Sequence, residues 1–131
     1  MKTLIVEDDL TSRLLLQTLL GSYGPCHVAV NGREAVEAFR MARENGHPYD
    51  LICMDIMMPE MDGNAALRGI RGLEDAGRVK SGAAVKVFMT TALTGVKDVV
   101  TGFENLCDAY LFKPIEADKL LGELRKYGLI S

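Results

Sequence analysis

Five side chains in this sequence are of types that could do chemistry together: the acids Glu7, Asp8 and Asp55, the hydroxyl of Thr91 and the ammonium of Lys113. Each lies at or just beyond the end of a short apolar run, Thr3-Leu4-Ile5-Val6, Leu51-Ile52-Cys53-Met54, Val85 to Thr90, or the run from Ala109. Short apolar runs bounded by turn chemistry read as buried parallel strands. The carboxyl ends of such strands share one edge of an open sheet, which is where ligands bind. Three carboxylates meeting there repel, and at least one pKa must rise unless a cation intervenes. Mg²⁺ suits them, since it takes oxygen ligands and is typically held by one or two carboxylates with a phosphate. A lysine and a hydroxyl beside it would receive a phosphoryl group, whose charge spreads over its outer oxygens. An aspartate in that setting can itself be the nucleophile, so the chemistry implied is reversible phosphorylation of Asp55.

Taken singly, each residue has a plainer explanation. Asp55 could cap a strand-to-helix turn, Glu7-Asp8-Asp9 could be a solvated loop, Thr91 a loop residue, and Lys113 a surface residue before Pro114. Their convergence on one edge carries the reading. Asp9 is expected to start the first helix, where an acid is favoured.

The elements that must position these groups alternate strand and helix. Thr3–Val6 is a strand, and Leu10–Tyr23 a helix with Leu15, Leu16, Leu19 and Leu20 on one face, stopped by Gly24-Pro25. Cys26–Val30 is the second strand. Asn31 and Glu34 resemble a capping box opening a helix with Ala35, Val36, Phe39 and Met41-Ala42 as its apolar positions, ended by Asn45-Gly46 and Pro48. The Asp55 strand follows, then a segment broken by Pro59 and Gly63, and a helix over about Asn64–Leu73 with Leu67 and Ile70 inward. Residues 74–84 read as a long surface loop or a helix extension. Val85–Thr90 is the fourth strand and Thr91 to Gly95 a loop. Val96, Val99, Val100 and Phe103 mark a fourth helix, Ala109–Lys113 the fifth strand, and Glu116–Tyr127 a fifth helix with Leu120, Leu121 and Leu124 inward. Five such units imply an α/β fold, a doubly wound parallel sheet with helices on both faces. The expectation for organisation is one domain over residues 1–131 with no output domain.

Composition agrees with a globular domain of 131 residues, 48% apolar and 25% charged. A net charge of −3 with scattered Lys and Arg argues against a nucleic-acid partner. No apolar run is long enough to span a membrane, and the start carries no signal-peptide pattern, so a cytoplasmic location is expected. The three cysteines, Cys26, Cys53 and Cys107, lack metal or redox spacing and read as free thiols, the first two as small core residues.

The acid pair Glu7-Asp8, Asp55 followed by Met-Pro-Glu-Met-Asp-Gly, Thr91-Ala92 and Lys113-Pro114 together resemble the receiver domains of two-component response regulators, over nearly the whole chain. The resemblance implies the flavodoxin-like (βα)5 fold with strand order 2-1-3-4-5. It implies that Asp55 is the phosphoacceptor, Asp8 a direct Mg²⁺ ligand, Glu7 a water-mediated one, and Met57 a ligand through its backbone carbonyl. Thr91 becomes the switch hydroxyl assisted by the Ala92 amide, Lys113 the phosphate partner, and Tyr110 an aromatic switch. Lys113-Pro114 is expected to be cis. The implied partners are a sensor histidine kinase or phosphotransfer protein and a downstream protein, met on the face of the fourth helix, fifth strand and fifth helix. A monomer is expected, with a phosphorylation-dependent dimer as the alternative, and no enzymatic activity beyond its own phosphorylation and dephosphorylation. Leu106-Cys107 departs from the usual small pair before the fifth strand, leaving Asn105 as a candidate helix cap. Other readings fit less well. A haloacid-dehalogenase-type phosphohydrolase would need an acid where Met57 stands. An FMN binder would not line its phosphate loop with acids, and no P-loop is present. A docking module that is never phosphorylated remains the alternative function.

Overall fold

The computed structural model describes residues 1–58, 60–79, 83–92 and 106–131. Its elements are β1 (Thr3–Val6), α1 (Leu10–Gly21), β2 (Cys26–Ala29), α2 (Gly32–Glu44), β3 (Leu51–Asp55), α3 (Gly63–Ala76), β4 (Lys86–Thr91), β5 (Ala109–Phe112) and α4 (Ala117–Lys126). The five strands form one parallel sheet in the order β2-β1-β3-β4-β5. This is the doubly wound, flavodoxin-like arrangement. The helix expected around Val96–Phe103, and Asn105 with it, lie outside the described residues.

Strand alternation sends successive side chains to opposite faces and so builds two cores. Leu4, Val6, Ile52, Met54, Val87 and Met89 pack with Phe39 of α2 and Leu67 and Ile70 of α3. Ile5, Leu51, Cys53, Phe88 and Leu111 pack with Leu16 and Leu20 of α1 and Leu120 and Leu124 of α4. The central strands are buried on both faces, which is why they read as unbroken apolar runs.

Several boundaries differ from the sequence reading. Thr91 is the last residue of β4, not part of a loop, because Lys113 N–H donates to its carbonyl and extends the pairing with β5. Lys113 lies just past β5 and Val30 just past β2. Helix α1 ends at Gly21, two residues before Tyr23, and Leu15 is exposed on it while Leu16 and Leu20 are buried. With Leu10 and Leu14 also exposed, α1 is apolar around most of its circumference, so composition alone could not pick out its inner face. Helix α3 begins at Gly63 and runs a turn past Leu73 to Ala76, so the ambiguous stretch opens as a helix extension. The capping at Asn31 differs in one partner: its side chain accepts from Glu34 N–H, but the Glu34 carboxylate reaches back to Val30 N–H, 3.2 Å away. Met41 is exposed, and Leu121 and Cys26 are only half-buried. Cys53 is fully buried, and burial, with the Cys26 thiol a smaller influence, pushes its own thiol up to about 12. No helix among the described residues is long and apolar enough to cross a membrane.

Candidate functional site

Glu7, Asp55 and Lys113 meet at the carboxyl edge of the sheet. Glu7 follows β1 directly and is fully buried; Asp55 closes β3 and is 6% exposed. The Lys113 ammonium donates to both oxygens of Glu7, at 2.8 and 3.0 Å, and to Asp55 Oδ2 at 3.1 Å. Asp55 Oδ1 accepts from Met57 N–H at 3.1 Å. Asp8 sits at the solvent side of the group, and carboxylate oxygens of Glu7, Asp8 and Asp55 all lie within 4.8 Å of one another. One ammonium against three carboxylates leaves the cluster negative. Oxygen donors at this separation fit a hard divalent cation.

The electrostatics follow from this crowding. Burial raises the Glu7 pKa first, and the Asp55 charge adds to it; the Lys113 hydrogen bond opposes both without cancelling them. For Lys113 burial disfavours the ammonium, but the bond to Glu7 and the charges of Asp55 and Glu7 outweigh it, and its pKa rises. Asp9 is separate from the cluster's work. It caps α1, its carboxylate accepting Ser12 N–H at 2.9 Å, and that bond lowers its pKa.

The local chain is built to hold Asp55 still. Gly63 N–H donates to the Ile56 carbonyl, and a Cβ on Gly63 would stand 2.4 Å from the Asp55 carbonyl oxygen, so only glycine lets α3 begin this close. Gly32 N–H donates to the Met61 carbonyl at 2.9 Å, and a Cβ there would meet that same oxygen at 2.3 Å. The loop after Asp55 is thereby seated on the start of α2. Glu60 strengthens the seat, its carboxylate accepting from Asn31 and Arg33, both at 3.3 Å. In the sequence Gly63 stood out as a chain breaker; its close approach to Asp55 had no signal there.

The remaining expected residues fall around this centre. Thr91 is 3% exposed, and its hydroxyl donates to the Ala92 carbonyl at 3.2 Å. Its strand position gives it the parity of Val87 and Met89, opposite to that of Asp55 and Lys113. Tyr110 is half-buried against the core on the α2 and α3 side, the face opposite Lys113. Met57 is well exposed beside Asp55. The Lys113–Pro114 bond is cis. Arg13 was not anticipated: its Nη1 donates to the Glu7 carbonyl at 3.3 Å, tying α1 to the acid loop.

Against known proteins, the sequence model of the response regulator receiver domain matches residues 3–125. A probable transcriptional regulator, ycf27, of Cyanidium caldarium is 37% identical over 118 residues, which is 89% of this chain and 42% of that protein. The transcriptional regulatory protein ZraR of Escherichia coli K12 is 33% identical over 94% of this chain and 25% of its own length. The chain thus spans less than half the length of these relatives. Among solved structures, the receiver domain of sensor histidine kinase PA1611 from Pseudomonas aeruginosa PAO1, described with magnesium coordinated in its active-site cleft, superposes with a TM-score of 0.77. It is 27% identical, with 97% of each chain covered. The signal receiver domain of a histidine kinase from Syntrophus aciditrophicus is 32% identical, with a TM-score of 0.75, covering 96% of this chain and 88% of that one.

Proposed function

Because the chain belongs to the response regulator receiver domain family of two-component signalling, we propose that Asp55 accepts a phosphoryl group from a phosphohistidine of a sensor kinase or phosphotransfer protein. An Asp55 oxygen forms a bond to phosphorus as the phosphorus–nitrogen bond breaks; the bonding pair stays on that ring nitrogen, and the proton on the other ring nitrogen makes the departing imidazole neutral, leaving an acyl phosphate on Asp55. The observation that carries this is the cluster itself: a buried, backbone-fixed carboxylate touching an ammonium, with two further acids within reach. Asp8, Asp55 and the Met57 carbonyl would hold Mg²⁺, with Glu7 acting through water; the ion supplies charge neutralisation for the transferring group. The reported neighbour with magnesium in its cleft supports that assignment. Lys113 pairs with the incoming phosphoryl oxygens, and Thr91 turns its hydroxyl toward them, assisted by the Ala92 amide.

Output follows from the same residues. Thr91 leaving its present position opens space toward β5, where Tyr110 follows it inward and changes the face of β5 and α4 for a protein partner. A phosphoryl group shifts this balance only by what it gains in one state over the other. The domain acts in the cytoplasm as a monomer, with no activity beyond its own phosphorylation and dephosphorylation, and residues 1–131 form one receiver domain.

The test is direct. Incubated with acetyl phosphate and Mg²⁺, the protein gains one phosphoryl group by intact mass, and neither Asp55→Asn nor wild type with the metal chelated does so. Equal labelling of Asp55→Asn moves the acceptor elsewhere. Wild type that stays unlabelled from every donor, including a phosphohistidine protein, favours the phosphorylation-independent docking module.

A further inference from the structure

Thr90 is the residue in the site's vicinity whose chemistry nothing above uses. It is 1% exposed, and its hydroxyl is one of the buried polar atoms with no hydrogen-bond partner among the described residues. Such a group costs stability relative to the isosteric valine, and a native protein that keeps one calls for an explanation.

Its register supplies one. Thr90 is the direct partner of Asp55 across β3 and β4, and of Leu111 across β4 and β5. Partners in adjacent parallel strands point to the same face. The neighbouring pair obeys this: Cys53 and Phe88 lie together in the α1 and α4 core, as does Leu111. Asp55 and Thr90 therefore stand side by side on that face. The strand order adds a second constraint. Lys113 leaves the end of β5 yet bonds Asp55 on β3 and Glu7 beyond β1, so its stem crosses β4. Phe112 pairs with Thr91, which puts Lys113 level with Ala92, one pleat beyond Thr90 on the same face. The Thr90 side chain thus shares its face with the Asp55 side chain and the Lys113 crossing, although its hydroxyl bonds neither of them in the resting arrangement. Asp55 has accepting capacity left there, since one hydrogen bond to each oxygen leaves further lone pairs.

We propose that Thr90 is a positioning residue for Asp55, its hydroxyl donating to the carboxylate that departs when the acyl phosphate is hydrolysed. This rests on the phosphoacceptor reading of Asp55. In that hydrolysis a water oxygen bonds to phosphorus, the phosphorus–oxygen bond to Asp55 breaks, and the electron pair returns to the Asp55 oxygen. Inorganic phosphate leaves with the water's protons. The hydroxyl transfers nothing; it hydrogen-bonds the charge that forms, as oriented donors do elsewhere. Lys113 meanwhile is drawn to phosphoryl oxygens, so a second donor at the carboxylate has a use that the resting arrangement does not give it.

The experiment uses two pairs that differ by the hydroxyl: wild type against Thr90→Val, and Thr90→Ser against Thr90→Ala. Each protein is labelled with acetyl phosphate and Mg²⁺, freed of donor, and followed by intact mass as the phosphoryl group is lost. Loss is slower in the variant without the hydroxyl by roughly three- to tenfold in both pairs, the range one net hydrogen bond supplies. Thermal melting is recorded alongside. A hydroxyl with only a structural role moves melting and leaves the loss rates equal within each pair, and that result overturns the proposal. The serine–alanine pair decides the matter even where valine crowds the strand. Wild type that takes no label at all sinks the phosphoacceptor reading and this one with it; label with equal decay sinks this one alone.

Discussion

The two edges of the sheet each hold a cluster of buried charge, and the clusters are built on opposite plans. At the amino edge, Arg71 of α3 donates to Glu74 Oε1 at 2.7 Å, to Asp108 Oδ2 at 3.2 Å, and to the carbonyls of Val85 and Leu106, both at 2.9 Å. The acids are completed by backbone: Glu74 Oε2 accepts Val85 N–H and Asp108 Oδ2 accepts Val87 N–H. Tyr127 donates to the Asp108 carbonyl and draws in the end of α4. At the carboxyl edge one lysine faces three acids, and its partners are other charges rather than backbone. A guanidinium is a fixed fork that organises several acceptors at once, whereas an ammonium on a flexible stem can move to a new one. The amino edge is wired to stay and the carboxyl edge to exchange partners.

The largest effect expected from that contrast is at Arg71. Arg71→Ala leaves the buried Glu74 and the half-buried Asp108 without their cation and should cost about 3 kcal/mol in urea unfolding. The folded fraction should still label at Asp55, because among the described residues Arg71 and its partners bond none of Glu7, Asp55 or Lys113. A loss below about 1 kcal/mol would mean the network is held by its backbone bonds alone.

The same substitution at the two edges should then give opposite signs. Asp108→Asn weakens a bond to Arg71 and should destabilise by about 1 kcal/mol or more. Asp55→Asn removes one of three crowded carboxylates and should stabilise by about 1 kcal/mol while abolishing labelling, the trade expected of a site kept for function. Two destabilisations of similar size would erase the distinction between the two edges.

This contrast also marks what the sequence could and could not tell. The carboxyl edge was legible because its residues follow apolar runs, and parallel strands bring their ends together whatever lies between. Asp9 as the cap of α1 and the placing of Tyr110 opposite Lys113 were legible for the same kind of reason, local pattern plus alternation, whereas the strand order came only with the resemblance to receiver domains. The amino edge was not. Arg71, Glu74 and Asp108 sit among exposed-looking charges in sequence, and only tertiary packing joins a helix to the start of a strand 37 residues on. The inner face of α1 was misjudged at Leu15 because leucines surround that helix. Thr91 was assigned to a loop because polar residues end apolar runs, although pairing with the segment at Lys113 extends the strand through it. Thr90 was invisible as a chemical group until register put it beside Asp55.

The smallest expected effect is a pH dependence confined to the carboxyl edge. Burial, with the Asp55 charge behind it, holds the Glu7 pKa above its ordinary 4.5 in the folded chain, although Lys113 pulls the other way. A carboxyl group raised on folding binds its proton more tightly in the native state. Its contribution to stability is therefore complete below about pH 4.5 and drains away as pH rises through the folded value. Lys113 does not cloud this window, because its own pKa is raised from 10.5 and its proton stays on throughout. Glu7→Gln has no proton to lose. Its stability relative to wild type should accordingly improve between about pH 4.5 and pH 7, read from urea midpoints at constant slope. Glu7 would then oppose folding most near neutrality. A gap between variant and wild type that stays constant over that range would mean Lys113 compensates Glu7 fully, and the carboxyl edge would be as settled as the amino one.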